Sequence, residues 1–360
     1  MNLTPLKILP TEQYFAELAQ AVASTKPGDR VALMSMSFNP VEPRTAPLFW
    51  ELISASKRGV QVQLNVDANS FMVDDAKTIP SGPLFWHNEP SRSRRQDYRA
   101  KFETLSKLLE SGGHYCITNM PNRALTNPFS GRSHIKFSVI NNTTYVGGCN
   151  LSKSWQTDLM VRLDDPNTAD FIYQFMMQVA RAGNVLASLD GKDMVYQIDE
   201  LTKLAIDAGH KHQSLIYEEA LKAIDDAKQW IVLTCQYFPG STTADHLAAA
   251  LQRGVRVEVH YGRQSGKDFL SLPHHIVELG EQIRYPKELF VHRVEKSLPR
   301  LHTKLLATEQ GAMLGSHNYV THGVDFGTAE ATLIRQDPAF AQIAVDIFKA
   351  SLTKREQRSA

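Results

Sequence analysis

A histidine two residues before a lysine carries little information alone, but this chain presents the pair twice in one matched frame. Ser133-His134-Ile135-Lys136 is followed by Gly147-Gly148-Cys149-Asn150, and Leu301-His302-Thr303-Lys304 by Gly315-Ser316-His317-Asn318. Each His precedes its Asn by 16 residues, so both copies read H-x-K-x10-G-[GS]-x-N. A neutral imidazole can attack phosphorus, and a protonated one can hand its proton to a leaving oxygen. Two histidines can divide those roles once their surroundings push their proton affinities apart. The ammonium groups of Lys136 and Lys304 and the amides of Asn150 and Asn318 are donors suited to non-bridging phosphate oxygens. The set fits phosphoester transfer through a phosphohistidine.

Each imidazole also needs an acid to fix its tautomer, and one candidate lies downstream of each motif. Asp158 follows Trp155-Gln156-Thr157 and leads into the alternating run Leu159 to Leu163. Glu330 follows Thr328-Ala329 and leads into Ala331 to Ile334. The remaining histidines do not assemble a metal site: His274-His275 and His210-Lys211-His212 lack a third ligand at useful spacing. His317 reads as a residue of the pocket. No metal and no cofactor is expected.

The elements that must position these groups recur in both halves of the chain. VALMSMSFNP (31 to 40) matches IVLTCQYFPG (231 to 240), and LISASKRGVQVQLNVD (52 to 67) matches LAAALQRGVRVEVHYG (247 to 262). Each half reads as helix, apolar strand, helix, a Gly cap at Gly59 or Gly254, then an alternating, half-exposed strand. Each motif reads as a hairpin. One strand runs from His134 to Ile140, turns at Asn141-Asn142 and returns from Thr144 to Val146; the other runs from Leu301 to Ala307, turns at Glu309-Gln310-Gly311 and returns from Ala312 to Leu314. A period of two puts His134 and Lys136 on one face, and likewise His302 and Lys304. The first half carries about 27 extra residues between its Gly and its His, placed within Ser70 to Asn122. That insertion holds the arginines 92, 94, 95 and 99, a solvated face or a contact for anionic headgroups or a nucleic-acid backbone.

The expected architecture is α/β, with two similar units facing each other across a pseudo-two-fold axis. Residues 1–165 form the N-terminal repeat, 166–212 a helical connection with few strand signals, and 213–360 the C-terminal repeat. Phe38 and Trp155 are expected in the core. The apolar stretch Phe171 to Leu189 is interrupted by Gln174, Gln178, Arg181 and Asn184, and reads as an amphipathic or buried helix, not a membrane span.

Thirty-nine basic residues against 38 acidic ones leave a net charge of +1, so any preference for anions must be local. Three scattered cysteines without C-x-x-C spacing indicate neither a zinc ribbon nor a disulfide framework. The opening MNLTPLKILPTEQYF lacks the pattern of a secretory leader. A cytoplasmic setting is the expectation, with peripheral membrane contact left open.

The doubled motif resembles that of the phospholipase D superfamily, H-x-K-x4-D-x6-G-[GS]-x-N, with one residue fewer before the Gly in each copy here, over roughly residues 12 to 165 and 213 to 350. HIKFSVINNTTYVGGCNLS is similar in texture to the bacterial cardiolipin synthase and phosphatidylserine synthase branch. Asn141 and Glu309 stand where that family has its Asp, a mainly structural position. The resemblance implies two phospholipase D-like repeats with the active site at their interface. It implies His134 as nucleophile, His302 as general acid, and Asp158 and Glu330 as the carboxylates that orient the imidazoles. The activity implied is hydrolysis or transfer at a phospholipid phosphodiester. A nuclease of the same superfamily is the alternative, disfavoured by the near-neutral charge and the lack of a basic stripe with interleaved aromatics. A non-catalytic binding module on the same fold is the second alternative. Oligomeric state, headgroup and acceptor are not legible.

Overall fold

A computed structural model describes residues 3–72, 92–120, 131–152, 156–262, 279–294 and 301–359. Two sheets carry the fold. The first has the order β1-β7-β6-β5-β2-β3-β4, built from Leu6–Pro10 (β1), Arg30–Ser35 (β2), Gln61–Asp67 (β3), His114–Thr118 (β4), Phe137–Ile140 (β5), Thr143–Gly147 (β6) and Leu159–Asp164 (β7). The second has the order β12-β11-β10-β13-β14-β15-β9-β8. Its strands are Met194–Asp199 (β8), Thr202–Asp207 (β9), Trp230–Cys235 (β10), Arg256–Gly262 (β11), Arg293–Val294 (β12), Leu305–Thr308 (β13), Gly311–Gly315 (β14) and Glu330–Arg335 (β15). In each sheet three consecutive strands are parallel and the rest antiparallel. β1 to β7 correspond in order to β9 to β15, taking β9 as the partner of β1.

That correspondence changes the reading of 166–212. The stretch holds α5 (Pro166–Ala182) and α6 (Val185–Ser188), as its helical pattern indicates, but also the β8–β9 hairpin. β9 pairs with β15 from Glu330↔Asp207 to Arg335↔Thr202. The second sheet thus draws its β1 equivalent from the connection. β9 is buried along nearly its whole length, so TKLAID lacks the in–out contrast that marks a strand in sequence.

Alternation along the central strands divides the side chains between two cores. Val31 and Leu33 of β2 face an outer core with α1 (Thr11–Ala23), α2 (Ala46–Lys57) and α4 (Arg92–Glu110). Ala32 and Met34 face an inner core common to both halves. In β10, Ile231 and Leu233 face α7 (Leu215–Asp226) and α8 (Thr242–Gln252), and Val232 faces the shared core. That shared core joins both sheets to α5, through Ile172, Phe175 and Val179, and to the C-terminal helix Pro338–Ser359, through Phe340, Val345 and Phe348.

The alternation of β3 does not leave one face in water. Gln63 and Asn65 are buried, because α5 covers that side; Gln63 Nε2 donates to Asn65 Oδ1 at 2.8 Å, and Asn65 Nδ2 donates to Met176 O at 2.8 Å. Amide side chains tolerate this burial because their donors are satisfied. In β11, Arg256 is exposed and Glu258 partly so, as the pattern predicts. Gly59 and Gly254 follow α2 and α8 with φ of 88° and 82°, the left-handed caps their sequence indicates. Phe38 is fully buried, whereas Trp155 lies outside the described residues.

Candidate active site

Both H-x-K segments lie just ahead of a strand, not within it, since β5 starts at Phe137 and β13 at Leu305. Freed from their own sheets, they bridge to the opposite half. Ser133 forms a parallel bridge with Ala329, and Leu301 with Thr157. The His134 amide donates to Ala329 O at 2.8 Å, and the His302 amide donates to Thr157 O at 2.9 Å. The residue after each bridged partner is an acid, so the bridge delivers that carboxylate to the other repeat's imidazole. Glu330 places its carboxylate oxygens 3.0 and 3.1 Å from His134 Nδ1. Asp158 Oδ2 lies 2.6 Å from His302 Nδ1. The dyads are crossed.

The two rings stand 6.5 Å apart between centroids with their planes at 70°, and both are buried, at 8% and 5% exposure. With each Nδ1–H donating to a carboxylate, Nε2 is the nitrogen left for chemistry on both rings. Lys136 Nζ donates to His134 O at 2.5 Å, and Lys304 Nζ donates to His302 O. Lys304 Nζ also lies 2.6 Å from His302 Nδ1 and 3.7 Å from Asp158 Oδ2. Nδ1 cannot donate to Asp158 and accept from Lys304 together; the carboxylate is the stronger acceptor, and it attracts the ammonium as well.

Burial is the dominant force on these groups. It holds His134 below the ordinary imidazole value, against the opposing pull of Glu330. Burial, reinforced by repulsion from Lys304, drives Lys136 well below the ordinary amine value, and burial lowers Lys304 too. Burial raises Asp158, with Lys304 opposing. Glu330 also meets an upward push from burial, but His134, His317 and Lys136 together outweigh it and hold the carboxyl at about 2. An incoming phosphate would meet two ammonium groups that gain stability from its charge.

The glycine pair of each motif has a steric reason. A Cβ on Gly147 would sit 2.3 Å from Leu159 O, and one on Gly315 would sit 2.3 Å from Ala331 O, so both mark close strand crossings. A Cβ on Gly148 would strike Asp158 Oδ1 at 2.2 Å. Ser316 occupies the equivalent position beside the longer Glu330, and its hydroxyl donates to Glu330 Oε2. A short acid pairs with Gly, and a long one leaves room for a serine donor. Ser316 is thus a site residue that the motif alone did not single out, although the choice between G-G and G-S carried the signal.

Asn150 and Asn318 each have Oδ1 buried and without a hydrogen-bond partner among the described residues. Asp67 is a further group that the motif did not indicate. Its carboxylate accepts from the amides of Ser133 and Asn69, from Asn119 Nδ2 and from Arg132 Nη1, tying down the backbone next to His134. Asn141 and Glu309 stand apart from the chemistry. Asn141 Oδ1 accepts from the Arg30 amide, and Glu309 from those of Lys228 and Trp230, pinning each hairpin turn to the start of β2 or β10. The arginines 92, 94 and 95 fall on α4 without described side chains, and His274-His275 lie outside the described residues.

Two H-x-K hairpins thus converge from paired repeats. Residues 18–179 and 220–352 match the family model described as cardiolipin synthase, PLD-like domain. The chain belongs to this phospholipase D-like family. Phosphatidylserine synthase from Haemophilus influenzae Rd KW20 has a similar fold: TM-score 0.68 at 12% identity, covering 97% of this chain and 86% of that one. Polyphosphate kinase from Porphyromonas gingivalis superposes with a TM-score of 0.57 at 10% identity, covering 97% of this chain and 50% of the kinase, so the phospholipase D-like chain spans about half that enzyme's length. At such identities these likenesses concern the fold. No curated protein matches by sequence. Among the described residues, no helix is long and apolar enough to cross a membrane.

Proposed function

We propose that this phospholipase D-like chain cleaves or exchanges a phosphodiester through a covalent phosphohistidine, with a phospholipid as substrate. The observation that supports it is the crossed pair of buried dyads, two imidazoles 6.5 Å apart whose Nδ1 atoms are each turned to a carboxylate of the other repeat. Membership in a family described by cardiolipin synthase favours a lipid over a nucleic acid.

In the first step, His134 Nε2 attacks phosphorus, the bond to the departing alcohol breaks, and His302 donates its Nε2 proton to that oxygen. In the second, His302 takes a proton from water or a second alcohol, whose oxygen attacks phosphorus and breaks the P–N bond. Both imidazoles return to their starting states. Lys136, Lys304, Asn150 and Asn318 donate to the non-bridging oxygens as charge develops; loss of one such donor typically costs about 10²- to 10³-fold in rate. Asp158 and Glu330 hold the tautomers and stabilise each imidazolium as it forms.

The test is turnover by purified protein on phosphatidylglycerol, phosphatidylcholine, single-stranded DNA and RNA, with free headgroup resolved from exchanged product. Lipid turnover is expected, with loss of activity in folded His134→Ala and His302→Ala. In His302→Ala, a substrate whose leaving group needs no proton should leave labelled phosphate on His134. Label on His302 in the wild type, or turnover of nucleic acid alone, would reverse the assignment.

A further inference from the structure

The pseudo-symmetry of the site breaks at the residue between the small residue and the Asn of each motif. In the first repeat this is Cys149, whose thiol lies 3.7 Å from Thr11 Oγ1. The backbone after Asn150 is fixed separately, by Ser35 Oγ accepting the Leu151 amide at 3.0 Å. In the second repeat it is His317, buried at 2% exposure. His317 Nδ1 accepts the Tyr319 amide at 3.0 Å, a ring closure spanning Asn318. Tyr319 is held at a φ of 56°, a left-handed conformation unfavourable for a bulky aromatic residue, whereas Leu151 is not among the residues with positive φ.

That strain is held by contacts on every side. Tyr319 OH donates to Met313 O at 3.2 Å, and Thr243 Oγ1 donates to Tyr319 O at 2.8 Å. The His317 ring lies between Tyr319 and Tyr217, at 5.5 and 5.7 Å between centroids. Asn318 therefore sits within a kink whose inner hydrogen bond needs an imidazole lone pair.

We propose that His317 is a positioning residue for the phosphodiester reaction, clamping Asn318 toward the phosphate through the lone pair of Nδ1, and that the clamp works only while the ring is neutral. The inference rests on the proposed reading of the site. A protonated Nδ1 becomes a donor facing the Tyr319 N–H, so the closure is lost. Among the described residues, the charged groups around the ring are few. Glu330 approaches from β15 behind Ser316 and favours the proton; Asp325, from the short helix Thr321–Phe326 near Tyr217, is paired with His212 at 3.1 Å; α7 and α8 contribute Tyr217 and Thr243. Burial outweighs Glu330 and holds His317 below the ordinary imidazole value, so the clamp is closed at neutral pH.

Asparagine tests the idea, because its side-chain oxygen can accept the same i+2 amide without titrating. In His317→Ala, kcat should fall about 10²-fold, the cost of misplacing a catalytic group by about an ångström, with KM much less affected. His317→Asn should recover most of that loss and shift the acid limb of kcat to lower pH. Hydrogen exchange at the Tyr319 amide gives a readout that needs no turnover. It should be roughly tenfold faster in His317→Ala than in wild type, and restored in His317→Asn. Inorganic vanadate binding should follow the same order. If His317→Asn is no better than His317→Ala in rate and exchange, the clamp is wrong. If wild type neither turns over lipid nor binds vanadate while the exchange pattern holds, the proposed reaction fails and the clamp stands as an element of the fold.

Discussion

At the scale of single residues, the site is a set of ionisable groups taken out of water and made to support one another. Glu330 shows this most clearly: burial alone would favour its neutral form, yet its imidazole and lysine neighbours keep it ionised to about pH 2. The carboxylate in turn raises the proton affinity of His134. Glu330→Gln should therefore lower the pKa of His134, readable by the pH dependence of its imidazole NMR signals; an unchanged midpoint would mean that the dyad is not coupled. The lysines act with the opposite sign. Burial has lowered both, so an arriving anion raises them, and inorganic phosphate should bind with uptake of protons. Its affinity should weaken as pH rises through the lowered lysine pKa values. Calorimetry in buffers of different ionisation enthalpy measures this, and proton release would contradict it.

At the scale of elements, two hairpins and their glycines set the distances. Gly148→Ala would put a methyl where the Asp158 carboxylate lies, so the residue disturbed first belongs to the dyad of His302, in the other repeat. Activity should fall at least tenfold while the fold persists, with the general-acid step affected most: a substrate with a good leaving group should recover rate. Equal losses on both kinds of substrate would point to general damage instead. Much of this scale was legible in sequence. The H-x-K spacing, the turns at Asn141 and Glu309, the caps at Gly59 and Gly254 and both acids were visible because local chemistry specifies them. β9 was not, because a strand buried on both faces has no periodic contrast. Nor was the crossing of Asp158 and Glu330, which depends on backbone bridges between residues 144 and 196 positions apart in the chain. Asp67 was hidden for a similar reason, since its partners Asn119 and Arg132 come from distant segments.

At the scale of the molecule, the site depends on one continuous core. Phe348 is fully buried in it, on the C-terminal helix, and Phe175 is nearly so, on α5, with residues of both sheets around them. Phe348→Ala should cost about 3–5 kcal/mol of stability, seen as a lowered midpoint in denaturant. Because the core is common to both repeats, the loss should appear as one transition, not as unfolding of one half alone. Two separated transitions would show that the repeats melt independently.

The exchange of carboxylates between repeats also makes each half dependent on the other. A half-length chain bearing one histidine and one acid would have no means of completing a dyad within itself, since each acid reaches across to the opposite unit. Separated from the other, either half would leave its imidazole without a carboxylate, and only a second copy could supply the missing partner.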